Sequence, residues 1–152
     1  MPTNYFELLE IELDLLDKAA AALRYSYDRC REIGVKDVYS QEEKEKFEAL
    51  TGRFARLSDI LIQKTFRLID VIDLDTEGTV RDRINRAERK ELIESAAEFI
   101  EIRELRNEIA HEYIPEAIET IFKMALAQTP LLLDSVERVK RYCERYDRPG
   151  AG

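Results

Sequence analysis

The side chains with most chemistry to offer fall in one octapeptide, Arg106-Asn107-Glu108-Ile109-Ala110-His111-Glu112-Tyr113. It holds a permanent cation, an amide, a phenol and the chain's single histidine, the one residue type whose ordinary pKa lies near neutrality. On a helix, Asn107 and His111 are four apart and share a side, whereas Arg106 lies about 140 degrees round from His111. Arg106 and Tyr113, seven apart, line up if the helix continues.

This set suits phosphodiester cleavage without a metal. RNA carries its own nucleophile, the ribose 2′-hydroxyl. Histidine can take or return a proton near neutral pH, and arginine can hold phosphate oxygens and offset developing charge. Asparagine can orient the imidazole. Glu108 and Glu112 favour the protonated imidazole and Arg106 opposes it. One imidazole is few for a two-proton reaction; a twofold dimer would set two Arg106 and two His111 in one cleft, each Arg106 serving the other subunit's histidine. Spacing alone leaves a plainer alternative open, in which His111 meets the last carbonyls of a helix and its charged neighbours are solvated helix face.

The elements that must position the octapeptide are helices. Phe6, Leu9, Leu13, Leu16, Ala20, Leu23, Tyr27 and Cys30 recur at steps of three and four, one apolar stripe, with Asn4 as cap, Glu7 answering it and Gly34 as stop. Ser40-Gln41-Glu42-Glu43 opens a second helix as a capping box. Its stripe, Phe47, Leu50, Phe54, Leu57, Leu61, Leu68 and Ile72, is widened by Ile62, Phe66, Ile69 and Val71. Gly52 within it implies close approach of another helix. Asp75-Thr76-Glu77-Gly78 breaks the pattern. A short helix follows from Val80 to Arg89 with Thr79 as cap. Ser95 and Glu98 start a fourth, with Phe99, Ile102, Leu105 and Ile109 inward. Pro115 opens the last helix; Pro130 must kink or split it, with Thr129 as a possible new cap. The expected fold is all-α, an antiparallel four- to five-helix bundle with a kinked last helix, one domain over 1–147 and a tail at 148–152. Broad apolar faces imply a homodimer.

Composition sets limits. The 152 residues are 45% hydrophobic and 37% charged, with five Gly and four Pro, which excludes a disordered chain and fits long helices. No apolar run approaches a membrane span and no signal peptide is evident. Cys30 and Cys143 match no metal or redox spacing and imply reduced thiols in a cytoplasmic protein. No metal or cofactor is expected: one histidine makes zinc improbable, no Gly-rich phosphate loop occurs, and Asp70, Asp73 and Asp75 read as solvated or capping charges. The net charge of −8 opposes nucleic acid, so RNA contact needs a local basic surface. Arg81, Arg83 and Arg86, with Arg89 and Lys90, are the densest basic run and the candidate RNA contacts, although Asp82, Glu88 and Glu91 dilute it. Tyr25 can stack on a base; Tyr27 fits the core stripe.

Arg106-Asn107-x-x-x-His111 resembles the signature of HEPN domains, an Arg, a polar residue, a short gap and His on a late helix of a bundle. With Tyr113 the pattern Arg-x4-His-x-Tyr resembles the HepT branch, whose members pair with MntA-type minimal nucleotidyltransferases as toxin and antitoxin. The segment from Val80 through Tyr113 also resembles the non-catalytic substrate-binding partners of such nucleotidyltransferases. The resemblance implies a homodimeric, metal-independent endoribonuclease acting on tRNA or mRNA. Arg106 and His111 would be catalytic and Asn107 supporting, and Tyr113 would accept AMP from the nucleotidyltransferase, adding charge and bulk beside the RNA site. The alternative it implies is a non-catalytic subunit presenting substrate to the nucleotidyltransferase.

Overall fold

The structure is a computed structural model that describes residues 4–111 and 115–146. Its elements are α1 (Tyr5–Ile33), α2 (Gln41–Asp59), a π-helical segment (Ile60–Thr65), α3 (Phe66–Ile72), α4 (Val80–Arg89), α5 (Ala96–His111) and α6 (Pro115–Cys143). Every described element is helical, as the periodicity requires.

Local signals fix the boundaries. The Asn4 side chain accepts the Phe6 N–H at 2.8 Å. Gly34 closes α1 at φ +74, a conformation that costs other residues a Cβ clash. Ser40 and Glu43 complete a reciprocal capping box, as do Thr79 and Asp82. At α5 the expected box is only half made. Ser95 accepts from the Glu98 N–H at 3.3 Å, and a further free donor of the first turn, the Ala96 N–H, donates to Glu88 of α4 at 2.9 Å.

Helices α1 and α2 are antiparallel, since Arg53 reaches Ala22 while Cys30 reaches Lys46. Helix α6 runs antiparallel along α1, with Phe6 against Tyr146 and Lys140 on Asp17. One continuous core joins them. Phe47 and Phe122 stack at 5.1 Å, with Tyr39 edge-on to both, and Phe66 meets Phe99 between α3 and α5. Cys30 and Cys143 are buried thiols; burial pushes Cys30 up to about 11.

Three expectations about elements need correction. The second helix is not uniformly α: six residues near its middle form the π segment. The last helix is not split at Pro130 and gains no new cap at Thr129. The buried Thr129 hydroxyl instead donates to the Ala125 carbonyl at 2.7 Å, the back-bond a helical threonine makes to the residue four before it. Gly52 is no helix–helix contact, because a Cβ there would meet nothing within 4 Å.

The acidic set is corrected too. Asp70 is 3% exposed, and accepts from Arg86 Nε and Nη2 and from Lys90 Nζ. Asp73 accepts from the hydroxyls of Tyr142 and Tyr146 and pairs with Lys90. Only Asp75 is exposed. These carboxylates join α3 to α4 and α6. A buried charge is tolerated only when paired, so the basic run on α4 answers the aspartates rather than facing solvent as a unit.

Candidate functional site

An open groove of about 970 Å3 runs along the seam of α1 and α2 and meets α5. Helix α1 supplies Leu15, Lys18, Ala19 and Ala22, and α5 supplies Arg103, Arg106 and Asn107. The middle rod contributes Gly52, Arg53, Arg56 and then Ser58, Asp59, Ile60, Ile62, Gln63 and Lys64. Six lining residues from Ser58 to Lys64 exceed what a regular helix, turning 100 degrees per residue, directs to one side. The π segment supplies the extra density by slowing that rotation. Arg83 of α4 braces the segment from behind, donating Nη1 to the Ile62 carbonyl at 3.2 Å.

The groove inverts the sign of the whole chain. Lys18, Arg53, Arg56, Lys64, Arg103 and Arg106 face one carboxylate, Asp59, in a protein of net charge −8. Lys18 pairs with Asp14 on the exposed face of α1. Arg53 donates to the Ala22 carbonyl and the Ser26 hydroxyl at 3.1 and 2.8 Å, neutral partners that leave its charge uncompensated. Arg56, Lys64 and Arg103 are exposed and form no ion pair among the described residues. Potentials from clustered cations in a recess add, which is how a local basic surface persists on an acidic molecule.

Arg106 has a defined partner. Its Nε and Nη2 donate to the two Asp59 carboxylate oxygens at 2.6 and 2.8 Å, a bidentate pair that fixes the guanidinium plane. The hydrogen bonds to Asp59 raise the Arg106 pKa further above its already high value, so the cation is permanent. A guanidinium has five N–H donors. Asp59 uses two, and among the described residues Nη1 meets no acceptor.

The octapeptide is thus partly assembled. Arg106 and Asn107 line the groove. His111 is exposed at the last residue of α5, one turn beyond Asn107, roughly 6 Å along the axis, and does not line the groove. Leu105 faces the core as expected, while Ile109 is only partly buried. Tyr113 lies outside the described residues. Among these residues no cluster of His, Cys, Asp and Glu is placed to hold a metal ion, and no helix is long and apolar enough to cross a membrane.

Of the expected RNA contacts on α4, Arg81 and Arg89 are exposed. Arg86 is 7% exposed and committed to Asp70, and it also donates to the Glu77 carbonyl. Arg86, buried and paired with a carboxylate, is not available to phosphate as it stands, and its expectation as an RNA contact is withdrawn; Arg83, half-buried, has one donor on a neutral carbonyl and keeps the rest of its guanidinium. The basic surface lies on α2 and α5 instead. Its signal in the sequence was spacing rather than density: Arg53 with Arg56, and Arg103 with Arg106, each three apart and therefore on one helical side. Asp59 had no local signal, since its partner lies 47 residues away.

No family model matches the chain, and no curated protein matches it.

Proposed function

We propose that this chain is a HepT-like, metal-independent endoribonuclease toxin, acting as a homodimer and silenced by AMP transfer to Tyr113 from a partner minimal nucleotidyltransferase. The observation that carries this reading is the meeting of the octapeptide with the groove. Arg106 and Asn107 line the recess in which basic residues outnumber carboxylates six to one. That supplies the local basic surface which an acidic chain needs to approach RNA.

Arg106 would stabilise the charge that builds on the phosphorus oxygens as the 2′-oxygen attacks. Asp59 would hold its guanidinium plane while leaving Nη1 for phosphate. His111 would move the proton to or from the reacting oxygens, and Asn107 would orient it. With His111 off the groove wall of its own chain, the geometry favours the imidazole of a second subunit as the one that meets Arg106. Exposed Ile11 and Leu15, four apart on α1, offer apolar surface beside the groove for such a dimer.

One observation favours the second reading, a non-catalytic subunit that presents substrate to a nucleotidyltransferase. Arg106 is already paired with Asp59, and a paired arginine can serve recognition as well as catalysis. Expression with and without the partner separates the two. The toxin reading expects growth arrest on expression alone, and on co-expression relief together with an intact-mass gain of one or more AMP units that is lost in Tyr113→Phe. Harmless expression of the lone soluble chain, or an unmodified mass beside an active partner that still relieves arrest, would count against it.

A further inference from the structure

The groove does not end at Arg53. That residue also lines a second, smaller recess of about 350 Å3 farther along the same α1–α2 seam, together with Tyr25, Arg29, Glu42, Glu45 and Lys46. Tyr25 is 58% exposed, large and aromatic on a helix whose other face is full of core residues. The guanidinium carbons of Arg29 and Arg53 lie 5.2 and 5.9 Å from its ring centre. Arg53 is anchored from beneath by Ala22 and Ser26, so it is a fixed link between the two recesses.

We infer that the seam is a track for single-stranded RNA, with phosphates along Arg56, Arg53 and Lys64 and a base stacked at Tyr25. This rests on the nuclease reading for the choice of RNA and extends it to the form of the substrate and the direction in which it leaves the site. Three features of the seam select one strand over a duplex. Its cations stand in line on one rod, Arg53 to Lys64 spanning roughly 16 Å, which follows one backbone and not two. They sit in a recess between helices whose axes are packed at about 8–10 Å, whereas duplex RNA presents its phosphates on the outside of a wide cylinder. An aromatic ring flanked by guanidinium planes suits an unstacked base, which only a single strand supplies. Gly52 keeps the floor clear, because no side chain fills the open space above it. Glu42 and Glu45 in the outer recess repel phosphate, so the outer recess takes a base and not the backbone.

The test is binding of a fluorescent 2′-O-methyl oligouridylate, which lacks the attacking hydroxyl, compared with the same strand annealed to oligoadenylate. The single strand is expected to bind the wild-type protein more tightly. Tyr25→Ala should weaken it about five- to 160-fold, the range of base–aromatic stacking, and Tyr25→Phe should restore it. Arg56→Gln should lower the slope of log affinity against log salt by about 0.7, the value for one phosphate on a single strand. Equal affinity for duplex, or full affinity in Tyr25→Ala, would overturn the track while leaving ribonuclease activity a separate matter. Tight stacking-dependent binding by a protein that cuts no RNA would instead remove the nuclease reading and keep the track. If the wild-type dimer binds no oligonucleotide and Arg56→Gln dissociates it, the groove belongs to a second copy of the chain and the inference fails.

Discussion

Arg106 and Asp59 form the pair on which the site's geometry turns. Both are partly exposed, at 30% and 43% of their side chains, so water screens the attraction and the pair adds only about 0.5–1 kcal/mol to stability. Its consequence is positional. Two of five donors are fixed on the carboxylate and the remaining ones are aimed. Asp59→Asn should therefore leave the melting temperature within a few degrees of wild type. It should strengthen RNA binding at low salt by removing the one carboxylate in the groove, and should lower kcat about tenfold or more as the guanidinium loses its plane. Asp59→Glu should recover part of kcat. Circular dichroism melts and single-turnover cleavage check the split; a parallel fall in stability and binding would make Asp59 a purely structural residue. The octapeptide was legible because its residue types are rare together. Asp59 was not, because nothing local distinguishes a partner that only tertiary packing brings near.

At the scale of elements, the helices were readable where capping chemistry and periodicity agreed, as at Ser40 with Glu43 and at Thr79 with Asp82. They were misread where a bond leaves the element. The π segment is braced by Arg83 from α4, and the start of α5 is satisfied by Glu88 of α4. Neither long-range bond leaves a mark on the local pattern. The α3–α4–α6 junction was misread for the same reason, since charges that look solvated in sequence are paired in space. This junction predicts a pH response. Burial alone would raise the Asp73 pKa, but hydrogen bonds from Tyr142, Tyr146 and Lys90 outweigh it and hold the carboxyl below its ordinary value. A folded value below the unfolded one, about 3.9, means stability that is fully present above pH 4 and is lost as pH falls through the folded value. Lys90, raised by Asp70 and Asp73 against the effect of burial, loses its contribution only in alkali above about 10.4, so it does not mask the acid limb. Asp73→Asn should thus be less stable than wild type at pH 7, with the gap closing below pH 4. Urea midpoints from pH 7 to 2 measure it, and a gap that is constant with pH would contradict the linkage.

For the whole molecule, the excess of acidic residues and the basic groove answer each other. Net charge was legible from composition; the cationic seam was not, because its six basic residues come from three separate stretches of chain. A net charge of −8 opposes RNA at long range, and the groove is a local basic surface where association is favourable. The nuclease reading requires that this surface end in chemistry, and that the chemistry use the chain's own imidazole and guanidinium. RNA cleavage in excess chelator, by wild type and by His111→Ala at equal concentration, tests it most directly. Cleavage by wild type that falls at least about a hundredfold in His111→Ala, the lower range for losing a general acid or base, is the expected result. Equal cleavage by the two proteins would contradict the assignment of His111 and with it the nuclease reading.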